Sequence, residues 1–333
     1  FINTYYEGMN GSCSPKDLET MMQLIHLYFT APRQDNEAFT SYIQRNKAML
    51  ENVELDPMVT FSDSLTKIMY NNHPLRLRMK ASDLDMINYD EAMKMYQDRF
   101  ADPNNFTLYF VGNIDIDSFK PLVEQYLASL KKKKRKESWN DINLNITKED
   151  HICHFNKEMQ NPKTSIYMIL NGEMEYNYHN QLYMKALSDI MDIVYTKTIR
   201  EEEGGTYGVG VMGQLTKIPS NSYLFLIAFD TNDDIYQKLI NKVYEGLEDV
   251  ATNGPRQEDL NKVVENLYKK RAENLEENSF HTSAIKTLVD DGINIIAEYD
   301  EIVKSMTVES IADFTKEILK SYKKEIVQLP LRQ

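Results

Sequence analysis

The chain has 333 residues, 42% hydrophobic and 27% charged, a balance that excludes a disordered polypeptide and suits two domains of ordinary size. A formal net charge of −13 argues against nucleic-acid binding, because phosphate needs a basic face, and no apolar run is long enough for a membrane span. Two cysteines, Cys13 and Cys153, are too few for a disulfide framework and support no thiolate zinc site.

In chain order, the opening "FINTYYEG" has no initiator Met and no basic-then-apolar leader, so it reads as the start of a fragment. From Ser14, "SPKDLETMMQLIHLYFTAPRQDNEAF" reads as a polar helix start, an amphipathic helix and a second helix with Pro32 in its first turn. From Ile87, "INYDEAMKMYQDRF" reads as a helix capped by Asn88, and "FTLYFVG" from Phe106 as a short strand. At Lys131–Asp141, "KKKKRKESWND" contains six consecutive basic residues that cannot pack together, so a solvated linker is expected there.

Beyond it, "KTSIYMIL" (Lys163–Leu170) reads as a buried strand. Asn177–Arg200 reads as a long helix with Leu182, Ala186, Leu187, Ile190, Ile193 and Val194 on one face. "TYGVGVMGQL" and "SYLFLIAFD" (Ser222–Asp230) read as two strands joined by a turn. Helices are expected at Asp233–Ala251 and Gln257–Asn278, then shorter ones up to Lys320, with Pro255 in a first turn and Thr307 as a cap. "EIVQLP" from Glu325 closes the series as a strand.

Two halves echo one another. "TNDDIYQKLINKVYEGLEDVATNGPRQEDL" from Thr231 repeats the pattern from Ser14 down to its "PRQ", and "MTVESIADFTKEIL" from Met306 repeats the pattern from Ile87. The expected fold class is α+β, with two homologous domains, each a mixed or antiparallel sheet covered by helices. Residues 1–135 form the first repeat, truncated at its N-terminus, 136–149 the linker and 150–333 the complete second repeat. In the first repeat, Phe1–Gly11 aligns with the end of the second repeat's hairpin.

One stretch raises a choice of chemistry: "IREEEGGTYGVGVMGQ" (Ile199–Gln214) contains G-x-G-x-x-G at Gly208, Gly210 and Gly213. A dinucleotide site needs a strand before that string and a helix after it, so that pyrophosphate meets the helix N-terminus. Here a helix ends before it, an extended segment follows, and Glu201–Glu203 would repel phosphate, so nucleotide binding is not expected. The glycines suit a bulge or a close backbone approach, such as an added peptide strand. Around them, Gly204 and Gly205 form a turn that can bring Arg200 and Tyr207 together as donors to a carbonyl gaining charge. Spacing alone also allows Arg200 to pair with Glu201–Glu203 or the helix terminus, and Tyr207 to fill core.

Metal and nucleophile motifs are missing. The six histidines, His26, His73, His151, His154, His179 and His281, include no H-x-x-E-H or its inverse, and there is no G-x-S-x-G. His26 reads as a core-edge residue and His73 as a turn residue. His151 and His154 would point to opposite faces of a strand and so share no zinc.

"IREEEGGTYGVGV" resembles the signature of the pitrilysin/insulinase family of inverted-zincin zinc metallopeptidases. "EGMNGSCSPKDLETMMQLIHLYFTAPRQDNEAF" and "MYQDRFADPNNFTLYFVGNID" resemble the C-terminal half of its Bacteroidetes-type members. The resemblance implies four α+β domains in two halves that enclose a chamber, with zinc and its H-x-x-E-H motif in the N-terminal half. It implies that Arg200 and Tyr207 help hold the scissile carbonyl of a peptide lying extended against an edge strand. On this reading the chain itself binds no metal and is inactive alone. Its partners are the N-terminal catalytic half of the same polypeptide and peptide substrates. A periplasmic or envelope location is compatible with the resemblance, and the compartment is not readable. A scaffolding homologue without proteolytic role is the alternative, against which the retained Arg–Tyr pair argues.

Overall fold

The computed structural model describes residues 1–53, 56–133 and 137–331. Residues 134–136, in the middle of the expected linker, lie outside the described residues. Helices α1 (Leu18–Thr30), α2 (Asn36–Val53), α3 (Pro57–Tyr70), α4 (Tyr89–Arg99) and α5 (Ile116–Tyr126) come first. Strands β1 (His151–Lys157) and β2 (Thr164–Glu173) lead into α6 (Tyr178–Tyr195), and β3 (Val209–Thr216) and β4 (Ser222–Thr231) follow. Then come α7 (Tyr236–Asn253), α8 (Gln257–Asn274), α9 (Asn278–Asp291), α10 (Tyr299–Lys304), α11 (Val308–Leu319) and β5 (Tyr322–Pro330). The chain divides into two compact units, one of residues 1–56 and 78–140, the other of residues 57–77 and 141–333.

The first unit is helical in its described residues. Asn88 caps α4 as its sequence requires, its side chain accepting from the Glu91 amide at 3.2 Å. His26 is half-buried, its Nδ1 2.7 Å from the Tyr126 carbonyl, as a core-edge residue should be. Two expectations fail. The segment from Phe106 forms no strand, because a strand exists through its ladder and no neighbouring strand runs beside this one among the described residues. The opening residues likewise make only an isolated bridge, Ile2 to Glu7, rather than a hairpin arm. Pro32 and Pro255 also stand before their helices rather than in the first turn. The helices begin at Asn36 and Gln257, so these prolines mark the turn that ends the preceding segment.

The second unit is built on one five-stranded mixed sheet in the order β1-β5-β2-β4-β3. β1 runs parallel to β5, and the other neighbours are antiparallel. β4 alternates strictly, so Tyr223, Phe225, Ile227 and Phe229 all enter the core while Leu224, Leu226 and Ala228 face the other way. β2 is apolar on both faces because it is central and covered twice. Ile166, Met168 and Leu170 join the core with α6, α7, α8 and α11. On the opposite face Tyr167 meets Phe61 of α3 edge to face, ring centroids 4.7 Å apart. α3 thus covers the second face of this sheet although it precedes β1 by some eighty residues in the chain.

Buried polar groups are tied to specific partners. The Tyr195 hydroxyl, wholly inside, donates to the Val243 carbonyl at 2.9 Å and joins α6 to α7. Lys324 on β5 is fully buried, and its Nζ donates to the Thr147 carbonyl (2.8 Å), Asn171 Oδ1 (2.7 Å) and the Glu149 carbonyl (3.2 Å). Three neutral acceptors replace its water, and burial lowers its pKa to about 8.

Of the three glycines in the G-x-G-x-x-G string, Gly213 has a clear packing duty. A Cβ there would lie 2.5 Å from Met184 Cγ and Sδ and 2.8 Å from Ser188 Oγ, so β3 and α6 approach as closely as only glycine allows. Gly213→Val should therefore destabilise the fold by about 1–3 kcal/mol through overpacking. Gly208→Ala, where a Cβ meets nothing within 4 Å, should lie within about 0.5 kcal/mol of wild type. Urea midpoints of both variants check the contrast, and equal losses would remove the packing account.

Candidate functional site

The Arg200–Tyr207 frame is set by how α6 ends. Its apolar face continues into a π-helical turn, Thr196–Glu201, with Ile199 fully buried as the anchor. Such wider turns rotate the following side chains out of the regular helical register and recur at functional sites. Arg200, next to Ile199, is thereby turned outward and exposed. Gly204 then adopts the left-handed conformation, φ +63°, and its amide donates to the Arg200 carbonyl at 3.2 Å, closing the helix end.

The loop beyond is fastened to the body of the unit. The Gly205 carbonyl accepts from Thr231 Oγ1 at 2.5 Å, at the end of β4. Glu203 pairs with Lys238 on α7. Thr206 Oγ1 donates to the Gly208 carbonyl at 2.9 Å and accepts from its amide at 3.2 Å, fixing the chain around Tyr207. Tyr207 itself is 100% exposed, and β3 starts two residues later.

The turn thus separates two free donors. Neither Arg200 nor Tyr207 has a hydrogen-bond or ion-pair partner among the described residues, and no hydrogen bond joins them. Arg200 does not pair with Glu201–Glu203, and Tyr207 does not enter the core, so neither alternative left open by spacing describes the chain. An exposed guanidinium and an exposed phenol on a tethered turn can each donate to an acceptor brought from outside. The acidic Glu201 and Glu202 beside them are exposed, and the chain enters a strand rather than a helix, which is the wrong arrangement for pyrophosphate.

The histidines are scattered. His151 and His154 are both exposed on β1, and His154 Nε2 lies 2.8 Å from Glu325 Oε1 on β5. That pair, 171 positions apart in the chain, had no local signal in the sequence. His73 accepts from the Leu75 amide at 3.3 Å and forms a turn before Pro74. Among the described residues no three His, Cys, Asp or Glu side chains are grouped to hold a metal ion, and no helix is long and apolar enough to cross a membrane. Sequence reasoning also missed that β3 is an edge strand. Its eight residues carry no charge and no proline, which reads as a central strand rather than an edge.

Residues 87–267 match the family described as the peptidase M16 inactive domain. The chain is 21% identical over 265 residues to the probable zinc protease PqqL of Haemophilus influenzae, an alignment covering 80% of this chain and 27% of that protein. Its fold is similar to that of the periplasmic protease PqqL from Escherichia coli, with a TM-score of 0.81 at 17% identity, over 95% of this chain and 35% of that one. It is similar also to the first half of the same Escherichia coli protein, with a TM-score of 0.71 at 16% identity, over 95% of this chain and 71% of that one. The matches span between 27% and 35% of the curated relatives' length. The helix-covered mixed sheet is the fold of these peptidase structures. With more than half of its length matched, the chain belongs to the peptidase M16 inactive-domain family.

Proposed function

We propose that this chain is the non-catalytic C-terminal half of a zinc-dependent endopeptidase, a wall of its chamber that presents Arg200 and Tyr207 to the scissile carbonyl of an extended peptide. The observation that carries the proposal is the pair of uncommitted donors held on a fastened turn. An exposed arginine and tyrosine with no partner among the described residues contribute little to folding, whereas the fastened turn sets in advance where such donors can meet a developing oxyanion. The curated relatives are named as zinc proteases, and on this reading the zinc belongs to a catalytic N-terminal half, not to residues of this chain. The chain's own work is then to bind and orient the peptide and to exclude water from the closed chamber.

Mixing this chain with the N-terminal half of the same polypeptide tests the assignment. Peptide cleavage is expected in the mixture only, lost on chelation and restored by zinc. A stable complex of the two halves that cleaves nothing would favour the scaffold reading instead.

A further inference from the structure

At the end of α6 away from the Arg200 turn lies a cavity of about 330 Å³. The end of β2, the first turn of α6, the start of β4 and the end of α11 meet around it, at Gly172, Asn180, Tyr223 and Lys320. Its apolar wall is held in place by the fold. A Cβ at Gly172 would lie 2.8 Å from Tyr223 Cε1, so the tyrosine ring approaches β2 as closely as only glycine allows. The Tyr223 hydroxyl donates to the Ile318 carbonyl at 3.1 Å, which ties that ring to α11. Phe314 of α11 is buried beside Tyr183, ring centroids 5.6 Å apart, and half-buried Met174 completes the wall.

The rim carries both signs of charge. Glu317 pairs with Lys320 at 2.5 Å, and Glu173 pairs with Lys148 of the adjoining hollow. All four side chains are more than half exposed. Such pairs contribute little to folding, because water competes for each partner, and they exchange readily with an incoming ion. Two carboxylates and two ammonium groups leave no net charge, so an ion of one sign meets as much repulsion as attraction. A dipolar ligand gains at both ends.

We propose that this cavity binds a free α-amino acid with an apolar side chain, its ammonium on Glu173 and Glu317, its carboxylate on Lys320 and its side chain against Tyr223, Phe314 and Met174. The volume lies at the small end of the range for ligand sites, which suits a single amino acid rather than a peptide. The apolar wall supplies the burial and the rim supplies the orientation. α6 has 18 residues and spans about 27 Å at about 1.5 Å per residue, so the cavity is remote from the Arg200–Tyr207 turn. The inference therefore does not rest on the peptidase reading, and it is tested by binding rather than turnover.

The probe is L-leucine, titrated into the 333-residue chain alongside N-acetyl-L-leucine and L-leucinamide, with the Met174 methyl resonance as reporter. L-Leucine should shift that resonance saturably, with half-saturation at about 1 mM or below. Each capped form lacks one of the two charges and should bind about tenfold more weakly or worse. Lys320→Gln should abolish the preference over L-leucinamide and keep the preference over N-acetyl-L-leucine. The Glu173→Gln, Glu317→Gln double variant should do the reverse. Both replace exposed groups, so their urea midpoints should stay near wild type. No saturable shift up to about 10 mM, equal binding of the three compounds, or preferences that both variants leave intact would each overturn the proposal.

Discussion

The stability of this chain should rise between about pH 8 and pH 10 and then collapse between about pH 11 and pH 12, with opposite groups responsible for the two limbs. Lys324 drives the rise. Its folded pKa is about 8, against 10.5 for the free side chain, because burial disfavours the ammonium. Below pH 8 both states are protonated, and the folded state bears the full cost of a buried charge. Between the two values the unfolded chain binds the proton that the folded one has released, so stability climbs with pH, by about 3 kcal/mol at one pKa unit per 1.4 kcal/mol. Tyr178, Tyr223 and Tyr244 drive the fall. Burial raises each from 10.0 to about 12. Above pH 10 the unfolded chain loses phenolic protons that the folded chain keeps, so each of these tyrosines costs about 1.4 kcal/mol by pH 11 and about 2 kcal/mol by pH 12. Tyr195, fully buried and also raised well above its ordinary value, adds to the same limb. Set against a domain stability of roughly 5–15 kcal/mol, the sum is enough to unfold the chain. Urea midpoints measured across this range, with phenolate absorbance read in parallel, check both limbs. A midpoint that is flat from pH 8 to pH 10 would remove the Lys324 account, and tyrosines that all ionise near pH 10 without unfolding would remove the other.

The elements legible in the sequence were those with a strong internal period. The apolar density of Ser222–Asp230 and the helical stripe from Leu182 to Val194 announce a central strand and a core helix, and both are found. Capping was legible at Asn88 and Thr307, because short polar side chains have few other reasons to precede an apolar helix. What failed or stayed hidden depends on partners far away in the chain. "FTLYFVG" has the composition of a strand but no neighbour to pair with among the described residues. The parallel pairing of β1 with β5, the cover that α3 gives Tyr167, and the burial of Lys324 are all long-range facts with no local signature. At the candidate site the frame was visible, since two glycines after a long helix must end it. The exposure of the two donors was not visible, because the π-helical turn that rotates Arg200 outward depends on Ile199 finding a place in the core.

That exposure gives the proposed role of the Arg200–Tyr207 pair a sharp test in the full-length protein. Arg200→Ala and Tyr207→Phe should each lower kcat by roughly 10²–10³, the loss of about 2–4 kcal/mol typical of one oxyanion donor. Neither change removes a hydrogen bond or leaves a buried group unsatisfied, because neither side chain has a partner among the described residues. Thermal and urea midpoints should therefore move by no more than about 0.5 kcal/mol. The separation matters, since a variant that lost both stability and turnover would say nothing about where the donor acts. Tyr207→Phe keeps the ring and deletes only the hydroxyl, so a loss of kcat with little change in KM places that hydroxyl at the transition state rather than in substrate capture. A rise in KM at constant kcat would instead make the pair a peptide-holding clamp. Wild-type kinetics in both variants would leave this turn without a catalytic part and return the chain to the role of scaffold. Gly204→Ala probes the same site from the backbone. At φ +63° a side chain is strained by about 1 kcal/mol or more, so the turn should shift and carry both donors with it. Its kcat should then fall further than its modest stability loss explains.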